Sequence, residues 1–307
     1  MECKKILIIK YDIDDFEQFC NEQIMNRKID IISLDSIRTH YPGKKIKNTW
    51  NFLKAFIFNP SHIEFNKYDI IIIFDDEKII PIANRYKKKD AKVILWNWNI
   101  KTKKQAKRQN KYGRSCEIWT FDKKNAVDYG WKLNNQFYFK PRIVDEKKNK
   151  GMLCAFCACV DKGRYKQMKE IKSALEKLNI KCNFFLVKEQ GKNYMKEDRQ
   201  WVVEKGIAYG AFLENVKNSD LIVDLVQNGQ VGMTLRVLEA LFYNKKIITN
   251  NDAIKETPIY NSNNILIWNS EEKAEIQDFI KKDYEVISNS IKNQYTFENW
   301  IQNIIER

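Results

Sequence analysis

Short apolar runs alternate with stretches of helical periodicity along the whole chain, the pattern of parallel sheets whose strands are joined by covering helices. In the first half the strand candidates are KILIIKY, IDIISL, YDIIIIF, KVILWNW and EIWTF. YDIIIIF shows no polar alternation, as expected of a strand buried on both faces. Between them DDFEQFCNEQIMN, IPIANRYKKK and KKNAVDYGW read as helices. A polar, glycine-ended stretch, VDEKKNKG (144–151), reads as a linker. A second series then follows, with strands MLCAFCACV, KCNFFLV, LIVDLV, KIITN and NILIW. Its clearest helix is YKQMKEIKSALEKL, in which Met168, Ile171, Leu175 and Leu178 form one apolar stripe. Charged helical segments, EEKAEIQDFIKK and TFENWIQNIIER, end the chain. The expected fold class is α/β, with two Rossmann-like doubly wound domains facing a central cleft, where the carboxyl ends of such strands bind ligands. The domains expected are 1–145 and 151–290, followed by a terminal segment at 291–307.

Length agrees with this division, since 307 residues exceed the usual single domain. With 44% hydrophobic and 31% charged residues the chain is globular rather than disordered. Its formal charge of +14 fits nucleic acid, an anionic membrane surface or an anionic small substrate. The densest basic runs, RYKKKDAK and KTKKQAKRQNK, fall in the first half. No secretory leader is read in MECKKILIIKYD, and YDIIIIF is far shorter than the roughly 20 residues of a spanning helix. The expected location is therefore cytoplasmic, peripheral to a membrane at most. Seven cysteines, an odd number, suit a reducing compartment. CAFCAC resembles a metal motif, but strand pleating turns Cys154 and Cys157 to opposite faces, so no metal is expected there. His40 and His62 belong to no ligand or nucleophile constellation.

The chemistry concentrates in GQVGMTLRVLEALFYNKKIITNN (229–251). Gly229 and Gly232 permit close backbone approaches before a helix begins near Thr234. Leu235, Leu238 and Phe242 share one helical face, while Arg236, Glu239 and Tyr243 share another. A helix N-terminus with Thr234 and Arg236 suits a phosphate, and Glu239, more than a turn further on, suits ribose hydroxyls. An ordinary intrahelical Arg–Glu pair has the same spacing. In DKGR, Lys162 and Arg164 occupy the first strand-to-helix turn of the second domain, where two cations beside a glycine suit a diphosphate, as would solvated loop charges.

DKGRY, NSDLIVDLVQNGQVGMTLRVLEALFYNKKIITNN and IYNSNNILIW together resemble bacterial glycosyltransferases of the GT-B class, of the lipopolysaccharide and capsule type. WTFDKKNAVDYGWKLNNQFYF resembles the last strand–helix unit of their acceptor domain. The resemblance implies a nucleotide-sugar donor held by the second domain and a glycan or lipid-linked acceptor held by the first. It places Lys162 and Arg164 at the diphosphate, Gln230, Gly232, Thr234 and Arg236 on the phosphate-side loop, and Glu239 at the donor ribose. It also implies that the final helix, with Trp300, packs back on the first domain. No metal or other cofactor is implied. Retaining members carry two glutamates seven residues apart; here Gly232 stands seven before Glu239, so the stereochemical course stays open.

An inverting transferase needs a general base. Strand-end candidates are Asp12, Asp14 and Asp15, and Asp75, Asp76 and Glu77, with Asp14 and Asp76 taken forward; an aspartate so placed also serves as a helix cap. WNWNIKTKKQAKRQNKYGR mixes Trp96 and Trp98 with cations, which suits an anionic acceptor or lipid surface better than single-stranded nucleic acid. Two rivals remain: a sugar-nucleotide epimerase of the same architecture, and a non-catalytic basic protein binding nucleic acid or membrane.

Overall fold

The computed structural model describes residues 4–12, 14–34, 63–141, 152–227, 230–268 and 274–307. The 144–151 linker, His40, His62 and Gly229 lie outside them. The chain divides into two compact units, one of residues 1–134 with Arg307 and one of residues 135–306.

The first unit holds a six-stranded sheet in the order β2-β1-β3-β4-β5-β6, every pair parallel. Its strands are β1 (Ile6–Lys10), β2 (Asp30–Ser33), β3 (Ile70–Phe74), β4 (Lys92–Asn97), β5 (Glu117–Thr120) and the two-residue β6 (Lys132–Leu133). β1 and β3 are buried along their whole length, which suits the apolar run Ile70–Phe74 of β3 and the run Ile6–Ile9 of β1, whose buried last residue is Lys10. Helices Asp15–Met25, Ile80–Tyr86, Lys103–Gln109 and Lys123–Tyr129 cover this sheet. Their starts are chemically marked: Asp14 and Asp122 cap two of them, Pro81 opens a third, and Thr102 with Gln105 forms a reciprocal capping box. Trp96 and Trp119, fully buried, anchor the core.

The second unit is also a six-stranded parallel sheet but has a different strand order, β12-β11-β10-β7-β8-β9. Its strands are β7 (Cys154–Val160), β8 (Lys181–Val187), β9 (Val202–Val203), β10 (Leu221–Asp224), β11 (Lys246–Thr249) and β12 (Ile265–Ile267). β7 separates two cores: Phe156 and Ala158 join one, Cys157 and Cys159 the other. On the second face Met168, Ile171 and Leu175 of helix Tyr165–Glu176 are fully buried, the stripe that their spacing predicts.

The terminal helix Phe297–Glu306 packs within this second unit. Tyr138 N–H bonds the Tyr295 carbonyl at 2.9 Å and Phe297 N–H bonds the Tyr138 carbonyl at 3.1 Å. Phe137 lies 4.5 Å from Trp300 and 5.2 Å from Phe297 between ring centroids. Residues 135–139 thus cluster with the second unit.

Candidate active site

The order of the second sheet reverses between β7 and β10, the position at which open α/β sheets bind ligands beyond their strand ends. Backbone geometry shows what occupies that seam. The Cys154 carbonyl accepts from Asp220 N–H at 2.9 Å, and Asp161 N–H donates to the Val187 carbonyl at 2.9 Å. Even-numbered residues of β7 therefore turn their backbone groups toward β10 and odd-numbered ones toward β8. Pairing of β7 with β10 is limited to Ala155–Leu221 and Phe156–Ile222. Beyond it, Arg236 Nε donates to the Ala158 carbonyl at 2.7 Å and Arg164 Nη1 donates to the Val160 carbonyl at 2.9 Å. Two guanidinium groups, one from the turn after β7 and one from helix Leu235–Phe242, are thus held on carbonyls two residues apart where the strands part.

Asp161 shapes the turn that carries Arg164. Its buried carboxylate accepts from Gly163 N–H (3.1 Å), Tyr165 N–H (3.0 Å), the Tyr194 hydroxyl (2.8 Å) and Lys192 Nζ (3.1 Å). These donors hold its pKa below the ordinary value although burial opposes them. Gly163 adopts φ +87° with open space around a Cβ, so the requirement for glycine is conformational. Lys162 is exposed beside it at φ 38°. Arg164 Nε is buried and has no hydrogen-bond partner among the described residues.

On the other side of the seam, Thr234 caps helix Leu235–Phe242 by accepting from Val237 N–H, and donates to Asp224 at 2.9 Å. Asp224, at the end of β10 and wholly buried, also accepts from Thr249 at 3.3 Å. Burial pushes its pKa up, against Arg236 and the Thr234 hydroxyl. Gln230 donates to the buried Gly232 carbonyl at 3.3 Å, which folds the loop before the helix. Arg236 and Glu239 form no direct ion pair: Glu239, 2% exposed, accepts from the Tyr209 hydroxyl at 2.8 Å. Burial raises the Glu239 pKa to about 8, with Arg236 and Tyr209 opposing and Asp224 assisting. At neutral pH this carboxyl is largely neutral, which leaves the charge of the seam with its arginines.

Comparisons with solved structures place the architecture. Sucrose-phosphate synthase from Thermosynechococcus elongatus is similar with a TM-score of 0.61, at 9% identity over 99% of this chain and 98% of that one. A lipopolysaccharide outer core galactosyltransferase, WaaB, gives 0.52 at 12% identity over 98% of both chains. The chain has the GT-B fold. The UDP-GlcNAc 2-epimerase of Methanocaldococcus jannaschii gives 0.53 at 13% identity over 99% of this chain and 98% of that one, so the GT-B fold by itself does not choose between transfer and epimerisation. No protein-family model and no curated protein matches the sequence.

In the first unit of this GT-B chain the sheet order reverses between β1 and β3. Asp14 is an exposed helix cap, accepting from Glu17 N–H at 2.8 Å. Asp76, 6% exposed, caps the short 3₁₀ turn Glu77–Ile79 and accepts from the Tyr11 hydroxyl at 3.4 Å. Asp75 receives Trp98 N–H (3.1 Å), Asn99 (3.0 Å) and Lys101. Glu77 pairs with Arg108 at 2.9 Å, and Asp12 accepts from Ser33 at 2.6 Å. Sequence reasoning overlooked Glu17, which pairs with the nearly buried Lys10 at the end of β1. Burial raises its pKa, with Asp14 and Asp75 adding to the rise and Lys10 opposing it. The available signal was its place three residues after a capping aspartate. Trp98 is partly exposed beside Phe16, whereas Trp96 is core.

Among the described residues no group of three or more potential metal ligands is present, and no helix is long and apolar enough to cross a membrane. Two hollows of about 660 and 780 Å³ lie elsewhere on the second unit, the first lined by residues such as Lys169 and Met195, the second by residues such as Tyr260 and Trp268.

Proposed function

We propose that the protein is a glycosyltransferase that moves a sugar from a nucleotide-sugar donor to a cell-surface glycan or lipid-linked acceptor, without a metal or other cofactor. The observation that carries this reading is the pair of guanidinium groups fixed on the Ala158 and Val160 carbonyls in the β7–β10 seam. Preorganised cations there would meet the negative charge that develops on a departing diphosphate, helped by Lys162 and by the N-terminal end of helix Leu235–Phe242. Gln230, Gly232 and Thr234 would shape the phosphate side, and Glu239 would take ribose hydroxyls. On the acceptor side, Glu17 joins Asp14 and Asp76 as a candidate base, its raised proton affinity suiting the task. Exposed Lys103, Lys104 and Lys107 on helix Lys103–Gln109 suit an anionic acceptor or membrane surface.

Thermal stability tests this reading when the protein and an Arg236→Ala variant are compared against UDP, GDP, CDP, ADP and dTDP at matched ionic strength. One nucleoside diphosphate at about 100 times its Kd should stabilise the native protein by about 2.7 kcal/mol and the variant far less. Equal, salt-sensitive responses to all five would instead favour a basic surface binder. The shared fold keeps the epimerase alternative. Isomerisation of the nucleotide-sugar without any acceptor would establish it.

A further inference from the structure

Glu239, assigned above to a ligand hydroxyl, already holds one. The Tyr209 phenol donates to its Oε1 at 2.8 Å, and the Tyr138 hydroxyl lies 2.8 Å from that of Tyr209. A phenol has one proton, so while Tyr209 gives its proton to Glu239, Tyr138 must be the donor of the second bond. The three groups form a directed chain ending on the carboxyl. Glu239 and Tyr138 are each 2% exposed, whereas Tyr209 is partly exposed at the start of helix Tyr209–Asn218, after the exposed residues Glu204, Lys205 and Gly206. Its ring stacks on Phe212 at 5.6 Å with 15° between planes, a contact that does not depend on the hydroxyl. Among the described residues, Arg236 and Asp224 are the charged groups that face Glu239.

We infer that Tyr209 sets the specificity of the donor site: its hydroxyl fills the place of a ligand hydroxyl on Glu239 and yields only to a vicinal diol. A ribose diol offers one hydroxyl to replace the phenol's donation and a second to accept the proton that the largely neutral Glu239 carries, where the phenol offers a donor alone, so a diol gains on exchange. A nucleotide lacking both hydroxyls leaves Tyr209 in place and is bound through its phosphates alone. This inference rests on the donor reading proposed above.

The test compares wild type with Tyr209→Phe, which keeps the ring and removes the hydroxyl. The ligands are whichever of UDP, GDP, ADP and CDP stabilises the wild type most, and its 2′,3′-dideoxy counterpart, with affinities measured by calorimetry. Tyr209→Phe should bind the diol nucleotide about tenfold more tightly, the scale of one hydrogen bond to a carboxyl, and the dideoxy nucleotide within about twofold of wild type. Tyr138→Phe, which removes the outer hydroxyl, should give a smaller gain of about two- to threefold, again confined to the diol ligand. Weaker binding by Tyr209→Phe, or equal changes for both nucleotides, would overturn the inference while leaving the donor reading intact, because Tyr209 would then merely support Glu239. If no nucleoside diphosphate binds wild type, the donor reading falls and the inference with it.

Discussion

Both sheets are six-stranded and parallel, but they differ in strand order and in what they place where that order reverses. In the first unit carboxylates dominate, and three are met by cationic side chains, Asp75 by Lys101, Glu77 by Arg108 and Glu17 by Lys10, while Asp12, Asp14 and Asp76 accept from hydroxyl or backbone N–H groups. In the second, two arginines are held by backbone carbonyls instead. An arginine bound to a carboxylate has its charge spent within the protein, while one bound to a carbonyl keeps it for a ligand. Two parallel sheets of different strand order thereby make one seam suited to moving a proton and another suited to holding an anion.

The comparison is tested most severely at Glu17. Glu17→Gln should lower sugar transfer by about 10²- to 10⁴-fold, or about 3–5 kcal/mol, and leave nucleoside diphosphate affinity within about twofold. Weakened nucleotide binding in that variant would break the division of labour between the seams. Next in size, Arg236→Ala should cost about 2–3 kcal/mol in nucleoside diphosphate affinity by calorimetry, and Arg236→Lys should recover little of it, because an ammonium lacks the fork that holds the carbonyl and faces the ligand together.

A third expectation concerns pH. The folded pKa of Glu239 is about 8 against an ordinary 4.5, so between these values the folded state holds a proton that the unfolded state has lost. Stability should therefore fall as pH rises through this window, by about 1.4 kcal/mol per unit from this group, and Asp224, raised as well, acts in the same direction. Urea unfolding of wild type and Glu239→Gln from pH 5 to 8 should show a shallower slope in the variant. The smallest effect is expected at Thr234→Ala, about 1 kcal/mol of stability from the lost helix cap, read from the same urea midpoints.

Strand cores such as Ile70–Phe74 and the Met168–Ile171–Leu175 stripe were legible because burial on two faces, or on one helical stripe, writes directly into residue order. β6 and β9, two residues each, carry too short a signal to read. At the site, the residue types of the DKGR turn and of Arg236 and Glu239 were legible, but their partners were not. Arg236 and Glu239 are spaced for an intrahelical pair, yet each reaches a group distant in sequence, the Ala158 carbonyl and the Tyr209 hydroxyl. Such contacts depend on strand order, which local periodicity does not encode. Glu17 escaped notice because its first turn is rich in acids, and only the fold brings Lys10 against it.

The pairing of Tyr138 with Tyr295 and Phe297 also imposes a timetable on synthesis. Residues 135–139 leave the ribosome roughly 160 positions ahead of their partners, a wait of about 10–30 s at bacterial or eukaryotic elongation rates. Throughout that interval Phe137 and Phe139, both buried in the finished protein, have no ring partners from the terminal helix. The second unit is therefore the late-maturing part of the nascent chain, and a ribosome stalled before Trp300 holds a sticky aromatic segment that chaperones would be expected to grip.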